Sequence, residues 1–276
     1  MSWTTRQGAT EDARNRTFGP LYSRNARAVI SRGLKATLGG HWLVMLSGFF
    51  EPVLFLVSMG VGMGAIVGAV EGPGGTPISY AAYIAPALLA VSAMNGAVYD
   101  STWNVFFKMH FGKLYQGMLY TSLGPLDIAL GEIFLALLRG MLYAAGFTAV
   151  MGMMGLITTP WALLMIPGSV LIAFGFASIG MAITSFMKTF QQMDWITFMM
   201  LPMFLFSATF YPLSVYPQYI QWLIQALPLW HGVELLRQIS VGTFTAATPL
   251  HIGYYLVMTA AGMLLTTMRL RQLFLK

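Results

Sequence analysis

The sequence predicts an all-α integral membrane protein, a bundle of six spanning helices. Three observations lead there. Of 276 residues, 57% are hydrophobic and only 9% are charged, against about 25% charged in soluble domains. Apolar runs long enough to cross a bilayer core, which takes roughly 20 residues, recur along the chain between short polar segments. Between the last two runs, Leu201–Gly242 is cut by Pro212, Pro217 and Pro228 into pieces too short to cross again. Apolar pieces of about 10–14 residues are more often re-entrant or interfacial than spanning.

In chain order, residues 1–17 are polar and of mixed charge and read as a cytoplasmic tail. An amphipathic helix is expected over 18–40, where Tyr22, Ala26, Val29, Ile30, Leu34 and Leu38 recur at helical steps with Arg24, Arg27, Arg32 and Lys35 on the flanks. A basic amphipathic helix ahead of a span lies in the cytoplasmic interface; the alternative is a disordered basic segment. No apolar stretch precedes it, so no cleavable signal peptide is expected. The transmembrane domain then fills 41–276, with spans at about 42–70, 80–101, 127–155, 161–186, 192–212 and 252–268. In the first span Gly60, Gly64 and Gly68 follow a four-residue step, which predicts close helix packing and not a dinucleotide loop, since no strand precedes it. Glu71–Ser79 reads as a Gly/Pro turn. After the fifth span, Ile220, Leu223, Ile224 and Leu227 share one helical face, with Gln218, Gln221 and Gln225 opposite. A second short helix, after Pro228, sets His231, Glu234 and Gln238 along one side.

Lys and Arg decide the orientation. The N-terminal 40 residues, the loop after the second span (Lys108, Lys113), the turn after the fourth (Lys188) and the C-terminus (Arg269, Arg271, Lys276) carry nearly all the basic residues outside the spans. The opposite side has only Arg237. The positive-inside rule therefore places both termini in the cytoplasm, and an even number of spans agrees with that. The net charge of +6 is distributed for topology and not for nucleic acid. With no cysteine there is no disulfide, thiolate metal site or Cys nucleophile.

The chain lacks G-x-x-x-x-G-K-[ST] and H-E-x-x-H, and Gly175–Gly180 misses a G-x-S-x-G elbow by one position, so no enzyme signature stands. Buried charge carries more. Glu51 lies about 14 Å into the first span and Arg139 about 18 Å into the third, counted at 1.5 Å per residue. Ionisable residues at such depth are paired or face a cavity, so Glu51 and Arg139 are expected to approach one another, as a stabilising ion pair or as part of a path. Glu132, nearer the cytoplasmic end, calls for a basic partner from the interfacial helix or from Asn104–Leu126. Met203, Phe204, Phe206, Phe210 and Tyr211 belong to a Met- and aromatic-rich run that lines a path for an apolar substrate or packs against helices and lipid.

Several motifs in this order resemble one family. They are Glu51-Pro52, Ala85-Pro86-Ala87-Leu88-Leu89 with Ser92-Ala93-Met94-Asn95, Leu123-Gly124-Pro125-Leu126 with Gly131-Glu132, Phe210-Tyr211-Pro212-Leu213, and Pro228 to Arg237 with His231 and Glu234 inside it. The chain from about Phe18 to Lys276 resembles the ABC-2-type export permeases, in their nodulation-J-like branch. That resemblance implies the ABC-2 exporter fold and export of an amphipathic substrate such as a lipo-oligosaccharide, a lipid or a hydrophobic drug. It also implies a second permease chain, identical or not, surrounding membrane lipids, and a separate ATP-binding subunit. ATP and Mg would be bound by that subunit, with no cofactor or metal in this chain. The family's coupling helix maps to Lys113–Leu119, where Leu114, Tyr115, Met118 and Leu119 share a face that is expected to dock on the ATPase. An ATP-independent carrier or channel and a lipid-modifying enzyme are the competing classes. The first is disfavoured by the absence of an internal repeat, the second by the absence of a nucleophile or metal cluster.

Overall fold

The computed structural model describes residues 25–38 and 42–274. The expected tail (1–17), the start of the expected interfacial helix (18–24) and Lys276 lie outside the described residues.

Helix α1 (Ala26–Leu38) follows the amphipathic pattern. Val29 is buried against Gly131, where a Cβ would come within 2.5 Å of it, while Arg27, Arg32 and Lys35 stay exposed. Helix α2 (Trp42–Val57) continues through π-helical turns (Ser58–Met63) into a last turn, Gly64–Val67. The expected glycine seam reduces here to one contact. A Cβ on Gly60 would lie 3.2 Å from that of Ala81, whereas Gly64 meets open space and Gly68, at φ +73, ends the helix. The Gly/Pro turn is a hairpin. β1 (Ala69–Glu71) pairs antiparallel with β2 (Pro77–Ser79), and Gly74 and Gly75 take the positive φ of the reversal.

Ser79 caps α3 (Tyr80–Tyr99) by accepting a hydrogen bond from the Ala82 amide. π-helical turns at Asp100–Asn104 and Phe107–Phe111 extend α3 well past its expected end, so Tyr80–Phe111 forms one rod, the most buried of the long helices. A short helix, α4 (Leu114–Leu119), starts at Lys113 in the left-handed region. Then follow α5 (Pro125–Met153), whose start is capped by Asp127 accepting from the Gly124 amide, and α6 (Met165–Phe186). The last helix, α10 (Thr248–Phe274), makes its largest contact with α6. Small residues permit that approach: a Cβ on Gly262 would lie 2.5 Å from the Ser178 carbonyl carbon.

Among the described residues, five helices are long and apolar enough to cross a membrane: Phe50–Val67, Tyr80–Phe111, Pro125–Met153, Pro160–Phe186 and Thr248–Leu273. The protein is a multi-pass, all-α membrane protein. The expected fifth span is not among the five. Helix α7 covers only Met193–Leu205, 13 residues, or about 20 Å at the α-helical rise. Turns then lead to Pro212. Side chains satisfy the backbone groups freed at this break, as a low-dielectric setting requires. Ser207 Oγ donates to the Met203 carbonyl, Thr209 Oγ1 to that of Phe204, and Arg237 Nη2 to that of Ala208. Two short helices follow, α8 (Gln218–Ala226) and α9 (Pro228–Val241). Helix α9 is buried along most of its length against α3, α6 and α10.

Candidate functional site

Two cavities flank α7. The polar one, about 510 Å³, lies among α2, α3, α5 and α7 and collects Glu51, Ser92, Asn95, Asp100, Arg139 and Tyr143. Arg139 Nη1 donates to Asp100 Oδ1 at 2.6 Å, and Asn104 Nδ2 donates to the same oxygen at 2.6 Å. This corrects the expected Glu51–Arg139 pair. Both residues do line the cavity, but Asp100 is the partner of Arg139. The cause is the length of α3. Stopping that span at 101 left Asp100 at its rim, whereas the π-helical extension carries it into the rod, opposite Arg139. Glu51 is exposed to the cavity and has no ion-pair partner among the described residues. The Nε of Arg139 is buried without a hydrogen-bond partner among the described residues.

Asp100 and Arg139 also wall a smaller cavity of about 250 Å³ beneath α1, with Arg32, Lys108 and Glu132. Lys108 Nζ donates to Glu132 Oε2 at 2.6 Å. The extended end of α3 is thus tied to α5 by two ion pairs.

The apolar cavity, about 750 Å³, lies on the other side of α7 between α6 and α8. Ile220, Leu223, Ile224 and Leu227, the apolar face of α8, all turn toward it. Of the expected path residues, Met203 and Phe206 line it. Phe204 instead sits edge-on to Phe55 and Phe210, at centroid distances of 6.1 and 5.2 Å, and joins α7 to α2. Tyr211 is exposed and lines neither cavity.

The polar residues of α9 separate into two groups. Arg237, 2% exposed, donates to Glu234 at 2.6 Å and to the carbonyls of Ala208 and Tyr83, with its guanidinium 3.8 Å above the Tyr83 ring. It fastens α9 to α3 and to the break after α7. His231 does not join that group. Its Nδ1 lies 2.8 Å from Nδ1 of His251 on α10, and its ring stacks on Tyr254. His251 and Asp100 are the residues that sequence reasoning missed. No local spacing links positions 231 and 251. For Asp100 the available signal was its i, i+4 relation to Asn104.

The face of α4 is also corrected. Tyr115 is fully buried and Met118 nearly so, packed on the protein itself, with the Tyr115 phenol near Glu132 and held well above its ordinary range by burial and that carboxylate. Leu114 and Leu119 are half-buried. Docked beneath α5, the apolar face of this helix is used internally. What α4 and its ends expose is Lys113, Gln116, Gly117 and Tyr120, the last 91% exposed. Among the described residues no three His, Asp or Glu side chains gather as a metal site.

The chain is thus a multi-pass bundle in which a broken apolar segment and two short helices stand beside a polar cavity walled by charge. The family model for ABC-2 type transporters matches residues 24–241, and the chain belongs to that family as a transporter permease, not itself an enzyme. It is similar to Nodulation protein J of Rhizobium leguminosarum bv. viciae, 30% identical over 256 residues that cover 92% of this chain and 96% of the relative. Nodulation protein J of Rhizobium leguminosarum bv. trifolii is 30% identical over 84% of this chain and 87% of its own length. That of Sinorhizobium fredii is 31% identical over 76% and 78%.

Proposed function

We propose that the chain is half of the membrane channel of an ATP-driven exporter that carries an amphipathic molecule out of the cytoplasm or inner leaflet. Two permease chains, identical or related, pair in the plasma membrane with both termini in the cytoplasm. Each is served by a separate ATP-binding subunit, which holds ATP and Mg; this chain holds no cofactor. The observation that carries the reading is membership of the ABC-2 family over residues 24–241. Transport against a gradient needs an energy source, and the sequence has no nucleotide-binding motif of its own.

The ATP-binding subunit docks on the exposed residues of the α4 region, Lys113, Gln116 and Tyr120, where a large exposed aromatic suits a protein contact. Movement there passes to the bundle through buried Tyr115 and the Lys108–Glu132 pair, which join α4 and the end of α3 to α5. The natural chain has no cysteine, so Gln116→Cys and Tyr120→Cys place unique thiols for the test. In intact cells both should resist a membrane-impermeant maleimide, and in inverted vesicles both should react and cross-link to the co-purified ATP-binding chain. Labelling of Gln116→Cys from outside intact cells would overturn the orientation and the docking together.

A further inference from the structure

We propose that the two cavities beside α7 form one bipartite site for a single-chain amphiphile whose head group is uncharged or cationic, and not anionic. The proposal deepens the exporter reading and rests on it for the claim that the occupant is cargo. The cavities are neighbours: Val98 on α3 and Ile196 and Met200 on α7 line both. Ile196 and Met200 are one helical turn apart, so they form a narrow seam that a bound molecule can straddle.

Each side sets its own chemistry. The 750 Å³ side falls within the usual range of ligand pockets, about 300–1,000 Å³. Among the described residues of its wall the one hydroxyl, Thr102 Oγ1, already donates to the Val98 carbonyl at 2.6 Å. No hydroxyl there awaits a partner, and three flexible methionines of α7, Met199, Met200 and Met203, adapt to chain shape. The occupant is hydrocarbon. On the 510 Å³ side, two carboxylates (Glu51, Asp100) face one guanidinium (Arg139), and Asp100 and Arg139 satisfy each other at 2.6 Å. The charge left over is Glu51. An uncompensated carboxylate in a site repels an anion and welcomes a cation or hydroxyl donors, and such a repulsive element is how a site excludes a close analogue. Asn95, Ser92 and Tyr143 supply neutral hydrogen-bonding partners around it. Glu51 is therefore the specificity-determining residue of the head-group side.

Three C12 probes test this, each with a photoreactive diazirine at the chain end, and with trimethylammonium, maltoside or phosphate as the head. The full chain in lipid nanodiscs is irradiated with each, and labelled peptides are mapped by mass spectrometry against increasing unreactive competitor. The trimethylammonium and maltoside probes should label Trp195–Phe206 and Ile220–Leu227 saturably, the phosphate probe at least roughly tenfold more weakly, as like-charge juxtaposition dictates. Glu51→Gln, nearly isosteric, should remove the deficit of phosphate relative to maltoside, and Glu51→Lys should favour phosphate. Labelling needs neither ATP nor a partner chain. Export lost while labelling persists therefore counts against the exporter reading and leaves the site standing. Equal labelling by all three heads, an unchanged order in Glu51→Gln, or no saturable labelling of these segments overturns the proposal.

Discussion

Arg139 on α5 holds Asp100 on the extension of α3 at 2.6 Å, while Glu51 faces the same cavity without an ion-pair partner among the described residues. Removing one member of this half-buried pair leaves an uncompensated charge, at a cost between the ~0–1 kcal/mol of an exposed pair and the ~3–5 kcal/mol of a fully buried one. Asp100→Asn and Arg139→Gln should each lower thermal stability on that scale, and the double variant should recover a large part of it. Glu51→Gln combined with Arg139→Gln should be additive within about 0.5 kcal/mol. A double-mutant cycle by thermal unfolding in detergent checks this; coupling between Glu51 and Arg139 in place of Asp100 would contradict the geometry.

Tyr115 separates a structural role from docking. Its ring is fully buried while Tyr120 is 91% exposed. Tyr115→Ala should destabilise by about 3–5 kcal/mol, as large-to-small changes of buried aromatics do, and lower the yield of folded protein. Tyr120→Ala should leave the melting temperature unchanged within error and weaken co-purification of the ATP-binding chain. Size-exclusion profiles and pull-down of the two variants, side by side, give the answer.

The α6–α10 contact depends on the absence of a side chain at Gly262, where a Cβ would lie 2.5 Å from the Ser178 backbone. Backbone cannot give way as a flexible side chain can, so Gly262→Ala should force the helices apart and cost about 1–3 kcal/mol. Gly64→Ala, where nothing lies within 4 Å, is the control and should be neutral. Thermal melts of the two variants decide it.

Position 251 matters through position 231. Their Nδ1 atoms are 2.8 Å apart, so one ring donates and the other must accept from an unprotonated nitrogen. Glu234, near His251, and Tyr254, stacked on His231, are the other groups facing the pair. The stability from this bond is present while at least one ring is neutral and is lost as falling pH protonates both. Burial lowers His231 to about 4 in the folded chain, so the melting temperature should fall progressively from about pH 6.5, the unfolded histidine value, down to about pH 4. His251→Gln, which cannot be doubly protonated, should flatten that drop. An equal acid slope in the variant would show that the pair does not set it.

The bundle was legible in the sequence wherever one helix could be recognised on its own. Hydropathy located the long helices, and the prolines at 212, 217 and 228 marked the two short returning helices α8 and α9. The Gly/Pro composition at 71–79 marked the hairpin turn, though not its strands. What failed was extent and facing. Composition could not say that π-helical turns would prolong α3 to Phe111 or that α7 would stop at Leu205; no periodicity marks the first, and the second depends on which side chains satisfy the backbone at the break. The partner of Arg139 followed from the first of these. The apolar face of α4 was visible, but whether it docks inward on α5 or outward on another chain is a tertiary fact that periodicity does not contain.

Energy coupling is the central claim, and uptake into inverted membrane vesicles tests it most directly. Vesicles from cells that express this chain with its ATP-binding partner are given a fluorescent C12 maltoside, with ATP, with ATP and vanadate, or with ATP and a protonophore. Accumulation that needs ATP, stops with vanadate and survives the protonophore is the predicted result. Accumulation that proceeds without ATP and collapses with the protonophore would contradict the account and make the chain an ion-driven carrier.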